Sequence, residues 1–399
     1  MYNPNRPPSP FPDSDIAHRA LLLATVPSLD PPHFLGPIIA NAATTTRDHL
    51  TIILFSRLFN DPSPSSTTTF RGVSRTDRFD DVLRLLTYVY VQATSVAQSL
   101  DKVLMEIDVV LRGIDADVPC NLGKGVDVVF RVAGDSIAVP LPASISSLRQ
   151  TFLQAADHDS LDAPPSSSSP VSPSALNAAL RKPPRLPVVA LGGTFDHLHA
   201  GHKILLSMGA WIAAEKIIVG VTGAYLSSTT ALYTDGDILL ADDVLLQKKS
   251  NKHLLQALPE RITSVRAFLE LFRPGIEYDI VPIQDVYGPT GWDPNVQSLV
   301  VSWESVGGAD AVATHRRAKG LPPLQTFIID VISPHSTRLD HDDMELLRRT
   351  KMSSTFIREW LADREAEKEK SERERAKERE AGLERAQMEA DAEMLNGAE

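Results

Sequence analysis

The run Leu186-Pro187-Val188-Val189-Ala190-Leu191 leads straight into Gly192-Gly193-Thr194-Phe195-Asp196-His197-Leu198-His199-Ala200-Gly201-His202-Lys203, and then into the apolar pattern of Ile204 to Ala214. A short branched apolar run reads as a strand, and the pattern after it as a helix, so the segment between them is a strand-to-helix turn. Gly192 and Gly193 let backbone amides approach a phosphate closely. Gly201 keeps the start of the helix uncluttered, where free N–H groups and the helix dipole favour an anion. His199 and His202 lie three apart, so both face one ligand on the first helical turn. Imidazoles there can donate hydrogen bonds to phosphate oxygens as charge builds in a transition state. Thr194 offers a short hydroxyl for the attacking phosphate of an acceptor. Three histidines in six residues also fit a zinc reading, but no carboxylate or cysteine completes a familiar ligand set.

Around this turn, short apolar runs alternate with amphipathic stretches: Ile217 to Val221, Tyr278 to Ile283, Ser298 to Ser302 and Thr326 to Ile332. Strands spaced by helices imply βαβ units and a parallel sheet, whose ligands bind beyond the carboxyl ends of the strands. Upstream, 157–187 is a Pro/Ser-rich stretch with the composition of a linker. It divides a first domain, 1–156, from a second, 188–362, and 363–399 is a charged helical or disordered tail. In the first domain, Ile52 to Phe55 and Asp81 to Leu111 suggest folded structure, the latter long enough for one helix or two. An α+β class is expected for it, with no motif that carries chemistry. Asn121-Leu122-Gly123-Lys124-Gly125 lacks P-loop spacing.

A second anion site stands far downstream, in Arg348-Arg349-Thr350-Lys351-Met352-Ser353-Ser354-Thr355-Phe356-Ile357-Arg358. Ser353 or Ser354 is a natural helix N-cap, and Lys351 and Arg358 add positive charge. By itself such a hydroxyl cluster is more often only a cap. Together with the first motif it suits the β- and γ-phosphates of a nucleotide.

The first segment resembles the T/H-x-G-H signature of the nucleotidylyltransferase superfamily, and the second resembles that superfamily's S-S-T/S-x-x-R element. Residues 188–361 resemble the eukaryotic, fungal-type phosphopantetheine adenylyltransferases. The discriminating stretch is Asp285-Val286-Tyr287-Gly288-Pro289-Thr290-Gly291-Trp292-Asp293-Pro294 with Leu299-Val300-Val301-Ser302-Trp303-Glu304-Ser305. Phosphocholine-type cytidylyltransferases carry a glycine before the serines, where this chain has Met352. The resemblance implies a Rossmann-like α/β domain, preceded by the separate α+β domain and followed by the tail. It also implies transfer of the adenylyl group of ATP to 4'-phosphopantetheine, with Mg²⁺ accompanying ATP and held mainly by substrate and water.

By the same resemblance His199, His202 and a lysine, Lys248 or Lys249, act on the α-phosphate. Gly192, Gly193, Thr194, Phe195, Gly201, Lys203, Ser302, Glu304, Arg316, Lys351, Ser353, Ser354, Thr355 and Arg358 contact ATP or the acceptor. Two departures stand out. Gly223 to Ala241 is an apparent insertion before the acidic, leucine-rich stretch that carries the lysines, and Ala313 replaces a family asparagine.

The 399-residue chain holds 40 Lys+Arg against 51 Asp+Glu, a net charge of -11, which argues against nonspecific nucleic-acid binding. No apolar run approaches the roughly 20 residues needed to span a bilayer. The start has neither signal-peptide nor transit-peptide character, so a cytoplasmic address is expected. Cys120, the only cysteine, has no disulfide partner. The absence of a Walker A pattern implies that a separate kinase phosphorylates the product. Other coenzyme A pathway enzymes are conceivable partners. Two further readings stay open: another nucleotidylyltransferase, of cytidylyl or nicotinamide mononucleotide type, or a scaffold of a coenzyme A-synthesising assembly.

Overall fold

The computed structural model describes residues 16–60, 74–156, 185–223, 245–246, 249–329 and 353–396. They build two five-stranded parallel sheets. The first contains β1 (Ala17–Thr25), β2 (Thr46–Phe55), β3 (Glu106–Arg112), β4 (Val128–Val132) and β5 (Arg149–Leu153), in the order β3-β2-β1-β4-β5. The second contains β6 (Leu186–Gly193), β7 (Ala213–Thr222), β8 (Glu277–Ile283), β9 (Ser298–Ser302) and β10 (Gln325–Ile329), in the order β10-β9-β6-β7-β8. Read from β8, the second order repeats the first. In each sheet the chain starts at the central strand, winds to one side and then crosses to the other. That reversal opens a crevice at the carboxyl end of the central strand.

The first unit therefore differs from the α+β expectation, since every pairing in its sheet is parallel. Leu21 to Ala24 of β1 and Ile52 to Phe55 of β2 are almost fully buried, the continuous apolar run of a strand covered on both faces. Nor is Asp81 to Leu111 one helix or two. It holds all but the first two residues of α2 (Phe79–Ser99), a turn and most of β3. Within that turn Asp101 sits at φ 58°, a left-handed conformation that no helix continues through. Helices α1 (Gly36–Thr45) and α3 (Ala143–Ser146) complete this unit.

In the second unit the strands lie where the alternation placed them, as far as Ile329. The helices are α4 (Ala200–Ile212), α5 (Leu258–Phe272), α6 (Val306–Ala318) and α7 (Ser354–Asn396). Gly209 lets α4 lie tight on β6, because a Cβ there would meet Leu191 Cδ2 at 2.5 Å. Most of the linker stretch, 157–184, and the apparent insertion after Gly223 fall outside the described residues. The expected tail runs as the continuation of α7, mostly exposed where its side chains are described, with Arg373 and Glu369 paired one turn apart.

The units are not apart from one another. One apolar core runs from β1, α1 and α2 into α4, β6, β7 and α5. At the seam the Arg75 guanidinium lies 4.1 Å from the Trp211 ring, and Trp211 Nε1 donates to the Arg75 carbonyl at 3.1 Å. Arg112 of β3 donates to the Leu271 and Phe272 carbonyls, both at 2.7 Å, satisfying the end of α5. Wedged between the sheets, α4 is buried at every residue from Lys203 to Ile212. Among the described residues no helix is long and apolar enough to cross a membrane.

Candidate active site

Strand β6 ends at Gly192 and Gly193, which pair with Gly220 and Val221 of β7. The chain then turns sharply into α4. Phe195 and His197 both hold positive φ, 51° and 43°, conformations that cost a non-glycine residue about 1–3 kcal/mol each. Burial and hydrogen bonds enforce them. The Phe195 ring is fully buried. The His197 N–H donates to Gln256 Oε1 at 2.6 Å, and its Nε2 lies 2.8 Å from the Leu254 carbonyl. His197 is thus a strut of the turn.

His199 occupies the N-cap position of α4 in extended conformation and makes no side-chain cap bond. Its ring stacks on that of His202 at 3.9 Å, and Phe195 backs His202 at 5.3 Å. A Cβ on Gly201 would sit 3.2 Å from His199 Cε1, so glycine makes room for the stack. Both side chains are half-buried, yet each Nδ1 is enclosed and has no hydrogen-bond partner. Burial, then the Lys203 and His197 charges, pull the His199 pKa down to about 3. Burial, then His199 and Lys249, hold His202 well below the ordinary histidine range. Two neutral imidazoles therefore stand at a helix N-terminus.

This state carries a stability signature. His199 stays neutral in the fold down to about pH 3, whereas an unfolded histidine protonates near pH 6.5. Below about 6.5 the unfolded chain binds the extra proton, so stability present at neutral pH is lost as pH falls toward 3. Urea midpoints are expected to fall between pH 7 and pH 5, with a shallower fall in His199→Gln. An identical slope in the variant would contradict the depressed pKa.

The second motif comes to the same place. Ser353 Oγ accepts from the Phe356 N–H at 3.2 Å, capping α7, and Ser354 Oγ donates to the Asp196 carbonyl at 2.8 Å. Arg358 pairs with the fully buried Asp196 carboxylate and donates to the Ser250 carbonyl at 2.9 Å and to Thr355 Oγ1 at 3.4 Å. The other Asp196 oxygen accepts from the Gln256 N–H at 2.9 Å. The starts of α4 and α7, far apart in sequence, are locked together through one aspartate.

Three residues expected to contact phosphate or nucleotide are engaged within the fold. Arg358 is 1% exposed and committed to Asp196, so it holds the loop from beneath. Arg316, also 1% exposed, donates to the Thr290, Asp293 and Pro322 carbonyls, bracing the Tyr287-to-Asp293 loop. Lys203 turns away from the histidines into the seam, where Nζ meets Asp108 Oδ1 at 2.6 Å and the Ile107 carbonyl at 3.0 Å. In each case a buried cation found carbonyl or carboxylate partners within the fold.

Of the other expected residues, Thr194 Oγ1 accepts from Thr222 Oγ1 at 3.2 Å. Lys249 acts electrostatically on His202, while Lys248 and Lys351 lie outside the described residues. A cleft of about 210 Å³ lies beyond β6, β7 and β9, lined by Gly192, Gly193, Thr222, Tyr287, Thr290 and Ser305. Ser302 and Glu304 stand next to its rim; Ser302 Oγ is 3.1 Å from Ser305 Oγ. Sequence reasoning missed Asp196, although it stands inside the quoted turn. It also missed Arg261, which donates to the Thr194 and Thr222 carbonyls at 2.6 and 2.9 Å. A lone arginine on a helix gives no local signal for that role.

Fold and site together define a parallel-sheet α/β protein with paired helix N-termini at the carboxyl ends of its strands. No family model matches the chain. A phosphopantetheine adenylyltransferase of Pyrobaculum aerophilum is 31% identical over 144 residues, 36% of this chain and 79% of that protein. The phosphopantetheine adenylyltransferase of Saccharomyces cerevisiae is 37% identical over 174 residues, and an uncharacterised protein of Schizosaccharomyces pombe is 40% identical over 175. Each yeast match covers 44% of this chain and 48% of the relative, so the chain spans about half the length of these two relatives. The chain belongs to the phosphopantetheine adenylyltransferase family.

Proposed function

We propose that the protein transfers the adenylyl group of ATP to 4'-phosphopantetheine, giving dephospho-coenzyme A and pyrophosphate. The observation that carries this reading is the joining of two anion-favouring helix starts, α4 and α7, through Asp196. An acceptor phosphate oxygen attacks the α-phosphorus of ATP in line, the new P–O bond forms, and the bond to the bridging oxygen of the pyrophosphate breaks. No covalent enzyme intermediate is required, so positioning and charge stabilisation supply the catalysis.

In this reading His199, His202 and Lys249 attend the α-phosphate, with Thr194 on the acceptor phosphate. The start of α7, Ser353 to Thr355, receives the leaving pyrophosphate. The histidines are suited to it: each Nδ1 is enclosed, so Nε2 is the ring nitrogen left for a phosphate oxygen. Lys248 and Lys351 are further candidates on the charge they bring. Among the described residues no group of three His, Cys, Asp or Glu could hold a metal, and both Asp196 oxygens are engaged. Mg²⁺ would accompany ATP as the Mg-ATP substrate and would neutralise phosphate charge there. A cytoplasmic address fits this activity.

The test is pyrophosphate release by the purified full chain. Release with Mg-ATP and 4'-phosphopantetheine, and none with CTP and phosphocholine, is expected. A folded chain silent in the first reaction would overturn the proposal, and activity only in the second would move the chain to another acceptor.

A further inference from the structure

The first unit repeats the strand order of the second but lacks its phosphate turn. After β1 the chain reads Val26-Pro27-Ser28-Leu29-Asp30-Pro31-Pro32-His33-Phe34-Leu35 before Gly36 opens α1, with no glycine pair at the strand end and one histidine where the second unit's turn and helix start carry three. The unit instead reaches the candidate active site from behind, through one short segment, Asp101 to Asp108, that leads into and begins β3.

At one end of the segment, Asp101 is held at φ 58° with its carboxylate turned to α7. Oδ1 accepts from Trp360 Nε1 at 3.1 Å, and Oδ2 pairs with Arg364. Next to it Val103 and Ile357, both buried, form a small apolar cluster against which Trp360 and Leu361 pack. Ile357 directly precedes Arg358, the residue bound to Asp196. The first turns of α7 are therefore clasped between the phosphate turn and the first unit.

At the other end, Asp108 Oδ1 holds Lys203 Nζ at 2.6 Å and Oδ2 holds His49 Nε2 at 2.7 Å. The Lys203 and Asp108 side chains are only 6% and 8% exposed. Burial alone would raise the Asp108 pKa, but Lys203 and His49 outweigh it and keep the carboxylate well below its usual range. A buried ammonium persists only with such a partner. Lys203 follows His202 directly and lies one turn after His199, so this pair fixes the rotation and depth of the start of α4.

The geometry points to a role for the first unit: the segment Asp101–Asp108 is a brace that sets the spacing of the two phosphate-binding helix starts. Asp101 and Asp108 are positioning residues, acting through α7 and α4 and touching no substrate. This rests on the adenylyltransfer reading, because the spacing matters only if one polyphosphate spans both helices. The brace predicts two different defects. Asp101→Ala loosens the pyrophosphate end and is expected to raise the KM for ATP about five- to tenfold, with kcat within about twofold. Asp108→Asn loosens the α-phosphate end, and a misplacement near 1 Å costs about 10²-fold in rate. A fall in kcat of about 10- to 100-fold with the KM for ATP within about threefold is expected.

Both variants are made in the full chain and rates are normalised to the folded fraction. A purely structural role would shrink that fraction and leave normalised kcat and KM alone. Amide hydrogen exchange supplies a readout independent of activity. Asp101→Ala is expected to deprotect residues 357–362 while sparing 203–208, and Asp108→Asn to do the reverse. Unchanged exchange in both variants, or equal deprotection throughout, would overturn the brace. A wild type that releases no pyrophosphate yet shows the selective exchange pattern would sink the function and leave the mechanical linkage standing.

Discussion

His202→Ala is expected to lower kcat for pyrophosphate release by about 10²–10³-fold, the usual loss when one preorganised donor to a developing oxyanion is removed. The magnitude follows from how much structure is spent on this ring. It stacks on His199, is backed by Phe195, and stands on a turn held in two left-handed conformations. A donor fixed this way needs no reorganisation as charge develops on the α-phosphate. Its neutral state suits donation of one hydrogen bond to the growing charge. The ring's partners sit on its flanks, so the alanine variant keeps the Asp196 contacts that hold the turn. Steady-state pyrophosphate release, beside a thermal unfolding curve, checks the prediction. A loss below about threefold in a folded variant would remove His202 from the chemistry and pass the role to Lys249.

The second sheet was legible because its strands alternate with helices and because the glycine–histidine turn is local: strand end, glycine pair and helix start fall within one short stretch. The first sheet was not. Its β1 is a single apolar run that periodicity cannot assign, and the break between α2 and β3 lies in Leu100 to Met105, which carries neither glycine nor proline. For the site, residue type was readable and direction was not. Lys203, Arg316 and Arg358 have the charge a phosphate site wants, yet each found its partners inside the fold, across gaps of up to 162 residues. Long-range pairing of that kind leaves no trace in local spacing. The seam shows the same limit: Asp108 sits in the middle of an apolar strand, and only its meeting with Lys203 explains a charge there.

Asp196→Ala is expected to destabilise the protein by about 3–5 kcal/mol, the cost of leaving a buried charge without its partner. Asp196 and Arg358 are 0% and 1% exposed, so solvent does not screen their interaction. The aspartate also accepts the Gln256 N–H, and its removal strands that donor as well as the guanidinium. Arg358→Met should cost a similar amount by leaving the carboxylate unpaired. Replacing both at once, Asp196→Leu with Arg358→Met, removes the two charges together, and swapping a buried pair for apolar side chains is often neutral. The double variant should therefore recover much of the lost stability, giving a strong coupling between the sites in a urea double-mutant cycle. Activity should not recover with it. The pair holds the turn carrying His199 and His202 against the start of α7, and apolar packing lacks the directional bonds that set that register. A double variant with both wild-type stability and wild-type pyrophosphate release would show that the ion pair is a packing element and that the two phosphate sites are aligned by something else.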